Sequence, residues 1–130
     1  MNETHRYRIL LVDDDEQVVE PLQIALENRG HEVLVARDGE QALISCERDD
    51  PDLIVLDVVM PKRSGFLVLD RIRKSKFRSP KIIIVTASCE QRYREFAESR
   101  GIDDFISKPY DLDQLLHRIE ELLNQEHATH

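Results

Sequence analysis

Four short apolar runs in this chain each end in a polar group with chemistry to offer. Ile9-Leu10-Leu11-Val12 runs into Asp13-Asp14-Asp15, and Leu53-Ile54-Val55-Leu56 runs into Asp57. Ile82-Ile83-Ile84-Val85 runs into Thr86-Ala87-Ser88, and Phe105-Ile106-Ser107 into Lys108-Pro109. Runs this short and rich in β-branched residues read as buried strands. Five strands are expected near residues 7–12, 32–36, 52–57, 81–86 and 103–106. They alternate with segments of helical period near 15–28, 39–48, 65–74, 90–99 and 111–124. Alternation of this kind builds βα units around a parallel sheet. In an open parallel sheet, ligands bind beyond the carboxyl ends of the strands. The four polar endings would therefore converge on one site.

Local signals agree with these elements. Val18, Leu22, Ala25 and Leu26 recur at helical spacing, Gly30 suits a helix C-terminus, and Asp15, Asp38 and Asp111 stand where N-caps belong. Pro21 dissents. It removes a backbone donor beyond the first helical turn, so a kink or a late helix start is expected there.

At 130 residues and 41% hydrophobic composition, the chain suits a single domain, residues 1–130 with a core of about 6–124, and leaves no room for an output domain. Its ends, Met1 to His5 and Asn124 to His130, read as loosely tethered. Cys46 and Cys89 lack CxxC spacing, the five histidines lack metal-ligand spacing, and no apolar run is long enough for a membrane span or signal peptide. A cytoplasmic protein is expected. The net charge of −8 argues against direct nucleic-acid binding, which needs cations to neutralise phosphates. Yet residues 62–81 hold eight basic side chains against Asp70, a local balance of +7 that leaves −15 elsewhere. The plainer reading is a solvated helix face, and the sharper one a docking edge for an acidic partner or phosphate donor. Lys62 and Arg63 are candidates for steering an anionic donor.

The segments LLVDDDE, Asp57 with Met60-Pro61 and Gly65, VTAS and ISKPY match the receiver domains of two-component response regulators in identity, order and spacing. The chain resembles that family over roughly residues 6–124, and the motifs together are far more specific than any one alone. The resemblance implies a flavodoxin-like, doubly wound α/β fold with a five-stranded parallel sheet of order 2-1-3-4-5.

By the same resemblance, Asp57 accepts a phosphoryl group from a sensor histidine kinase or a histidine phosphotransfer protein. Phosphoryl transfer needs little covalent work from the protein beyond a nucleophile, positioning and neutralisation of charge. Mg²⁺, with Mn²⁺ as a substitute, would be held by Asp14 directly, by Asp13 chiefly through water, by Asp57, and by the backbone carbonyl of Val59. Three carboxylates together repel unless a cation or a raised pKa relieves them. Thr86 would hydrogen-bond a phosphate oxygen, Lys108 would pair with the phosphate, Ala87 would leave the phosphoryl group room, and Pro109 would follow a cis peptide bond that aims the lysine. Phe105 occupies the switch position, its ring moving inward when Thr86 is drawn to the phosphate and so changing the surface offered to a downstream partner. Its plainer reading is a half-buried strand residue.

Such a protein catalyses only its own phosphorylation and dephosphorylation. The alternative is a phosphate-independent interaction module of the same fold. A haloacid-dehalogenase-type phosphatase needs a second acid two residues beyond the nucleophile, where Val59 stands. An EF-hand needs alternating acids and a central glycine, which Asp13-Asp14-Asp15-Glu16 lacks. The carboxyl-terminal stretch GIDDFISKPYDLDQLLHRIEELL looks like the transcription-factor class of receivers. Helix 4 departs from that class, with acids in Tyr93-Arg94-Glu95-Phe96-Ala97-Glu98 where apolar packing is usual, so a monomer is expected.

Overall fold

The computed structural model describes residues 6–58, 65–74, 80–87 and 90–128, with side chains as far as 125. Strands and helices alternate strictly: β1 Arg8–Val12, α1 Glu16–Asn28, β2 Glu32–Ala36, α2 Gly39–Asp49, β3 Leu53–Leu56, α3 Gly65–Lys74, β4 Lys81–Thr86, α4 Gln91–Ser99, β5 Asp104–Ser107 and α5 Leu112–Ala128. All four strand pairings are parallel and the sheet order is β2-β1-β3-β4-β5. This is the doubly wound, flavodoxin-like arrangement.

The sheet is buried on both faces because its central strands carry unbroken apolar runs, Ile9–Val12, Leu53–Leu56 and Ile82–Val85. Ile9, Leu11, Val55, Ile83 and Val85 face α1 and α5, where Leu22, Leu26, Leu115 and Ile119 pack. Leu10, Val12, Ile54, Leu56, Ile82 and Ile84 face the other way, onto Ala42 of α2, Val68, Leu69 and Ile72 of α3, and Ala97 of α4. Successive side chains of a strand point to opposite faces, so one unbroken run serves two cores. Among the described residues, no helix is long and apolar enough to cross a membrane.

Caps set the helix starts. The Asp15 carboxylate accepts from Gln17 N at 2.9 Å, Asp38 from Gln41 N at 2.9 Å, and Asp111 from Asp113 N at 2.9 Å. Gly30 has φ 92° and its N–H closes α1 on Glu27 O at 3.0 Å, a left-handed exit that glycine makes at no steric cost.

Two local expectations change. α1 begins at Glu16 and runs through Pro21, so there is no late start. Asp15 nucleates the helix, and Pro21 is exposed, which leaves the carbonyl it cannot serve within reach of water. α5 continues to Ala128, past the expected end near 124. Its Leu122 and Leu123 are 2% and 1% exposed, so the last apolar pair is seated on the core and the helix beyond it is a continuation, not a loose tail.

Candidate functional site

β1 and β3 are neighbours in register, Val12 opposite Leu56, so the residues that follow them emerge side by side. Asp57 N donates to Val12 O at 2.9 Å and Asp13 N to Ala36 O at 3.1 Å, which extends the ladder one residue beyond the strands and fixes both backbones. Asp13 and Asp57 are each only 6% exposed, while Asp14 is exposed. Among the described residues, Asp13, Asp14 and Asp57 form a group whose carboxylate oxygens lie within 4.8 Å of one another. Asp13 also accepts from Asp15 N at 3.0 Å, which holds the acidic loop in its turn before α1.

Lys108 enters from the end of β5. Its backbone N donates to Thr86 O at 2.8 Å, and the Lys108–Pro109 peptide bond is cis. The ammonium donates to Asp13 Oδ2 at 2.7 Å and to Asp57 Oδ2 at 3.1 Å. Burial alone would pull the Lys108 pKa down, but the hydrogen bonds and charges of Asp13 and Asp57 outweigh it and hold it above the ordinary lysine value. One cation thus bridges two of three acids, leaving an oxygen-rich and still net-negative cluster open beside Asp14. Such a donor set suits a hard divalent cation of the Mg²⁺ type.

The remaining expected residues lie on or just beyond β4 and β5. Thr86 at the end of β4 is 0% exposed and Ala87 beyond it is exposed. Phe105 on β5 is 8% exposed, packed on the α3 and α4 side of the sheet, so the half-buried strand residue of the plainer reading is in fact buried. Val59 lies outside the described residues, as do Lys62, Arg63 and Cys89. Cys46 takes no part: burial, with the charges of Glu47 and Asp49, pushes its thiol up to about 12, so it stays protonated and inert at neutral pH.

Gly65 has a role that is not evident from the motif alone. A Cβ there would lie 2.4 Å from Val58 Cα and 2.8 Å from Asp57 O, and its N–H donates to Val58 O at 3.2 Å. α3 therefore starts in backbone contact with the segment that carries Asp57, which only glycine permits. An isolated glycine opening an apolar helical pattern was the available signal for such a close approach.

The basic segment also divides. Arg71 and Lys74 are exposed as expected of a solvated face, but Arg73 reaches back to the carbonyls of Arg100 at 2.9 Å, Gly101 at 2.9 Å and Pro80 at 3.2 Å. It is a structural tie between α3 and the end of α4.

Comparison with known proteins agrees with this geometry. Residues 9–120 match the family model described as the response regulator receiver domain. The chain is 39% identical over 118 residues to the alkaline phosphatase synthesis transcriptional regulatory protein PhoP of Bacillus subtilis, covering 91% of this chain and 49% of that protein. It is 41% identical over 118 residues to the response regulator MprA of Mycobacterium leprae, covering 91% and 51%. This chain thus spans about half the length of these curated relatives. Among solved structures, a CheY-like response regulator receiver domain protein from Methanospirillum hungatei superposes with a TM-score of 0.89 at 29% identity, covering 95% of this chain and 98% of that one.

Proposed function

This chain belongs to the family of response regulator receiver domains of two-component systems, and we propose that it works as a phosphoacceptor, with Asp57 the nucleophile. The observation that carries the reading is the Lys108 ammonium bridging Asp13 and Asp57 at the carboxyl end of the sheet. A carboxylate oxygen of Asp57 attacks the phosphorus of a phosphohistidine, the P–N bond breaks as the P–O bond forms, and the imidazole leaves with the electron pair. Asp57 is held by its backbone on two sides, through Val12 and through the Val58 contact with Gly65, so its carboxylate is positioned before any donor arrives.

Asp13, Asp14, Asp57 and the Val59 carbonyl would hold Mg²⁺, which when bound neutralises charge on the transferred oxygens. Lys108 is already desolvated and paired, and it passes from the acids to a phosphate oxygen with little reorganisation. The Thr86 hydroxyl takes a second oxygen, and exposed Ala87 leaves room for the group. Phe105 is the packing element that reports occupancy.

The donor is a histidine kinase or a histidine phosphotransfer protein. A groove of about 400 Å³ beside Lys108, walled by Val18, Pro21, Tyr110 and Leu112, offers such a partner an apolar seat next to the acids. The outer acids of α4 support a monomer. Glu95 accepts from Gln91 at 3.2 Å and Glu98 pairs with Arg94 at 3.2 Å, so each is partnered within its own helix. We also propose that residues 1–130 form one receiver unit acting in the cytoplasm, without direct nucleic-acid binding of its own.

Intact-mass analysis after incubation with acetyl phosphate tests the reading. One added phosphoryl group is expected in wild type with Mg²⁺, and none in Asp57→Ala or under chelation. Equal labelling of Asp57→Ala would overturn the assignment of the nucleophile, and no labelling of wild type by any donor would favour the phosphate-independent interaction module.

A further inference from the structure

A void of about 10 Å³ lies between the acid pair and α1. Asp13 and Asp57 line it, and most of the remaining wall is apolar, with Val19 and Leu22 from α1 and Val55 and Val85 from the sheet. That is room for one water at most, whereas the groove beside Lys108 holds about 400 Å³. The groove meets solvent, because Gln17, Pro21 and Pro109 on its wall are exposed. Among the described residues, two side chains border both spaces: Val18 of α1 and Tyr110.

Tyr110 stands two residues beyond Lys108 and is half-buried against the core on the α1 and α5 face. Its phenol is held above the ordinary tyrosine value, first by burial, while the charge of Lys108 pulls it down and that of Asp13 adds to the rise. The side chain therefore lies within electrostatic reach of the ammonium and of one of its acids. The Lys108 side chain is only 17% exposed, and its ion pairs are with Asp13 and Asp57.

We infer that Val18 and Tyr110 form a partition that keeps groove water from the Lys108 ammonium, and that Tyr110 is a positioning residue for phosphoryl transfer through that ammonium. With water held back, the ammonium's attraction for a phosphoryl oxygen is not shared with bulk solvent. A breach joins the void to the groove and hydrates the ammonium, which then has to shed that water as charge builds on the transferred group. The loss falls on the transfer step and not on donor binding. The inference rests on the reading of Asp57 as phosphoacceptor and adds the wall that keeps its cation ready.

Two measurements on the full chain test it. Labelling rates over a range of acetyl phosphate with Mg²⁺ separate kcat from KM, and ¹H–¹⁵N spectra of the lysine ammonium groups, assigned with Lys108→Met, read water access to Lys108. Tyr110→Ala is expected to lower kcat about five- to twentyfold with KM changed by less than about twofold. Its Lys108 ammonium resonance, kept in wild type, is lost to exchange with water. Tyr110→Phe keeps the ring and restores most of both, while Val18→Ala reproduces both changes to a lesser degree. A wild-type kcat in Tyr110→Ala, a loss carried by KM, or a Tyr110→Phe as impaired as Tyr110→Ala would overturn the inference. So would a Lys108 resonance untouched in both Tyr110→Ala and Val18→Ala. A wild type that takes no phosphoryl group would instead overturn the phosphoacceptor reading, and the Lys108 resonance would then decide alone whether the partition exists.

Discussion

The two ends of the sheet are built from the same residue types and arranged in opposite ways. At the amino ends of the strands, charges are matched. Arg8 meets Glu32 at 3.1 Å, Arg118 meets Asp104 at 2.8 Å and Arg29 meets Glu120 at 3.8 Å, while His31 Nε2 shares a hydrogen bond with Glu120 at 2.9 Å. The Asp52 and Asp103 carboxylates take the backbone N–H groups of Arg8 and Ile82, each at 2.8 Å. At the carboxyl ends, Asp13, Asp14 and Asp57 crowd together and Lys108 bridges two of them. The first end is arranged for stability and the second keeps like charges close at a cost, as sites that must bind and react commonly do.

The largest effect that would sharpen this contrast is expected from Gly65→Ala. A Cβ at 2.4 Å from Val58 Cα meets backbone, so α3 must shift, with a loss of about 3 kcal/mol in urea unfolding and loss of phosphoryl labelling. Next is Asp103→Ala at the opposite end, which strands the N–H of fully buried Ile82. About 2 kcal/mol should go, with labelling and metal response intact. Impaired labelling in that variant would show that the two ends are not separable.

Asp14→Asn should run the other way. It removes one of three crowded charges without touching the Lys108 pairs, so in chelator its melting temperature should rise above wild type. The extra stability expected from Mg²⁺ in the wild type should largely disappear in this variant. A lower melting temperature in chelator would mean that the acids at the carboxyl ends are as well matched as those at the other end.

The smallest effect concerns pH. Lys108 binds its proton more tightly folded than free, so its stabilisation is complete below the ordinary value of 10.5 and is lost as pH rises through the higher folded value. The stability difference between wild type and Lys108→Met should thus stay flat over roughly pH 6 to 9 and narrow only above 10.5. Narrowing already near neutrality would mean that the two acids do not hold the ammonium charged.

Much of this architecture is legible in the chain because its strands are buried on both faces. Runs such as Ile82-Ile83-Ile84-Val85 admit no amphipathic alternative, and the alternation with helical segments leaves few topologies. Asp13, Asp57, Thr86 and Lys108 stand out because a charged or hydroxyl side chain directly after such a run is conspicuous. The structure brings Asp13, Asp57 and Lys108 into direct contact. What stayed hidden depends on partners distant in sequence. Arg73 looks like its basic neighbours until Arg100 and Gly101 are beside it, and Arg94 looks like a surface charge until Phe105 lies beneath it. The start of α1 turned on Pro21 being exposed, and the reach of α5 on Leu122 and Leu123 finding the core, both properties of the packed molecule.

The adjacency of β1 and β3 has a consequence for ion choice. Asp13 and Asp57 hang from neighbouring strands whose separation, about 4.8 Å, belongs to every parallel sheet and responds to no side-chain substitution. The strand spacing therefore acts as a ruler. Replacing an acid can change how strongly a cation is held, but the width between the two anchoring backbones is set by the hydrogen-bonded ladder itself. Selection between a small, rigidly hydrated ion and a larger one would thus be written first into the backbone, and only retuned by the exposed Asp14 at its rim.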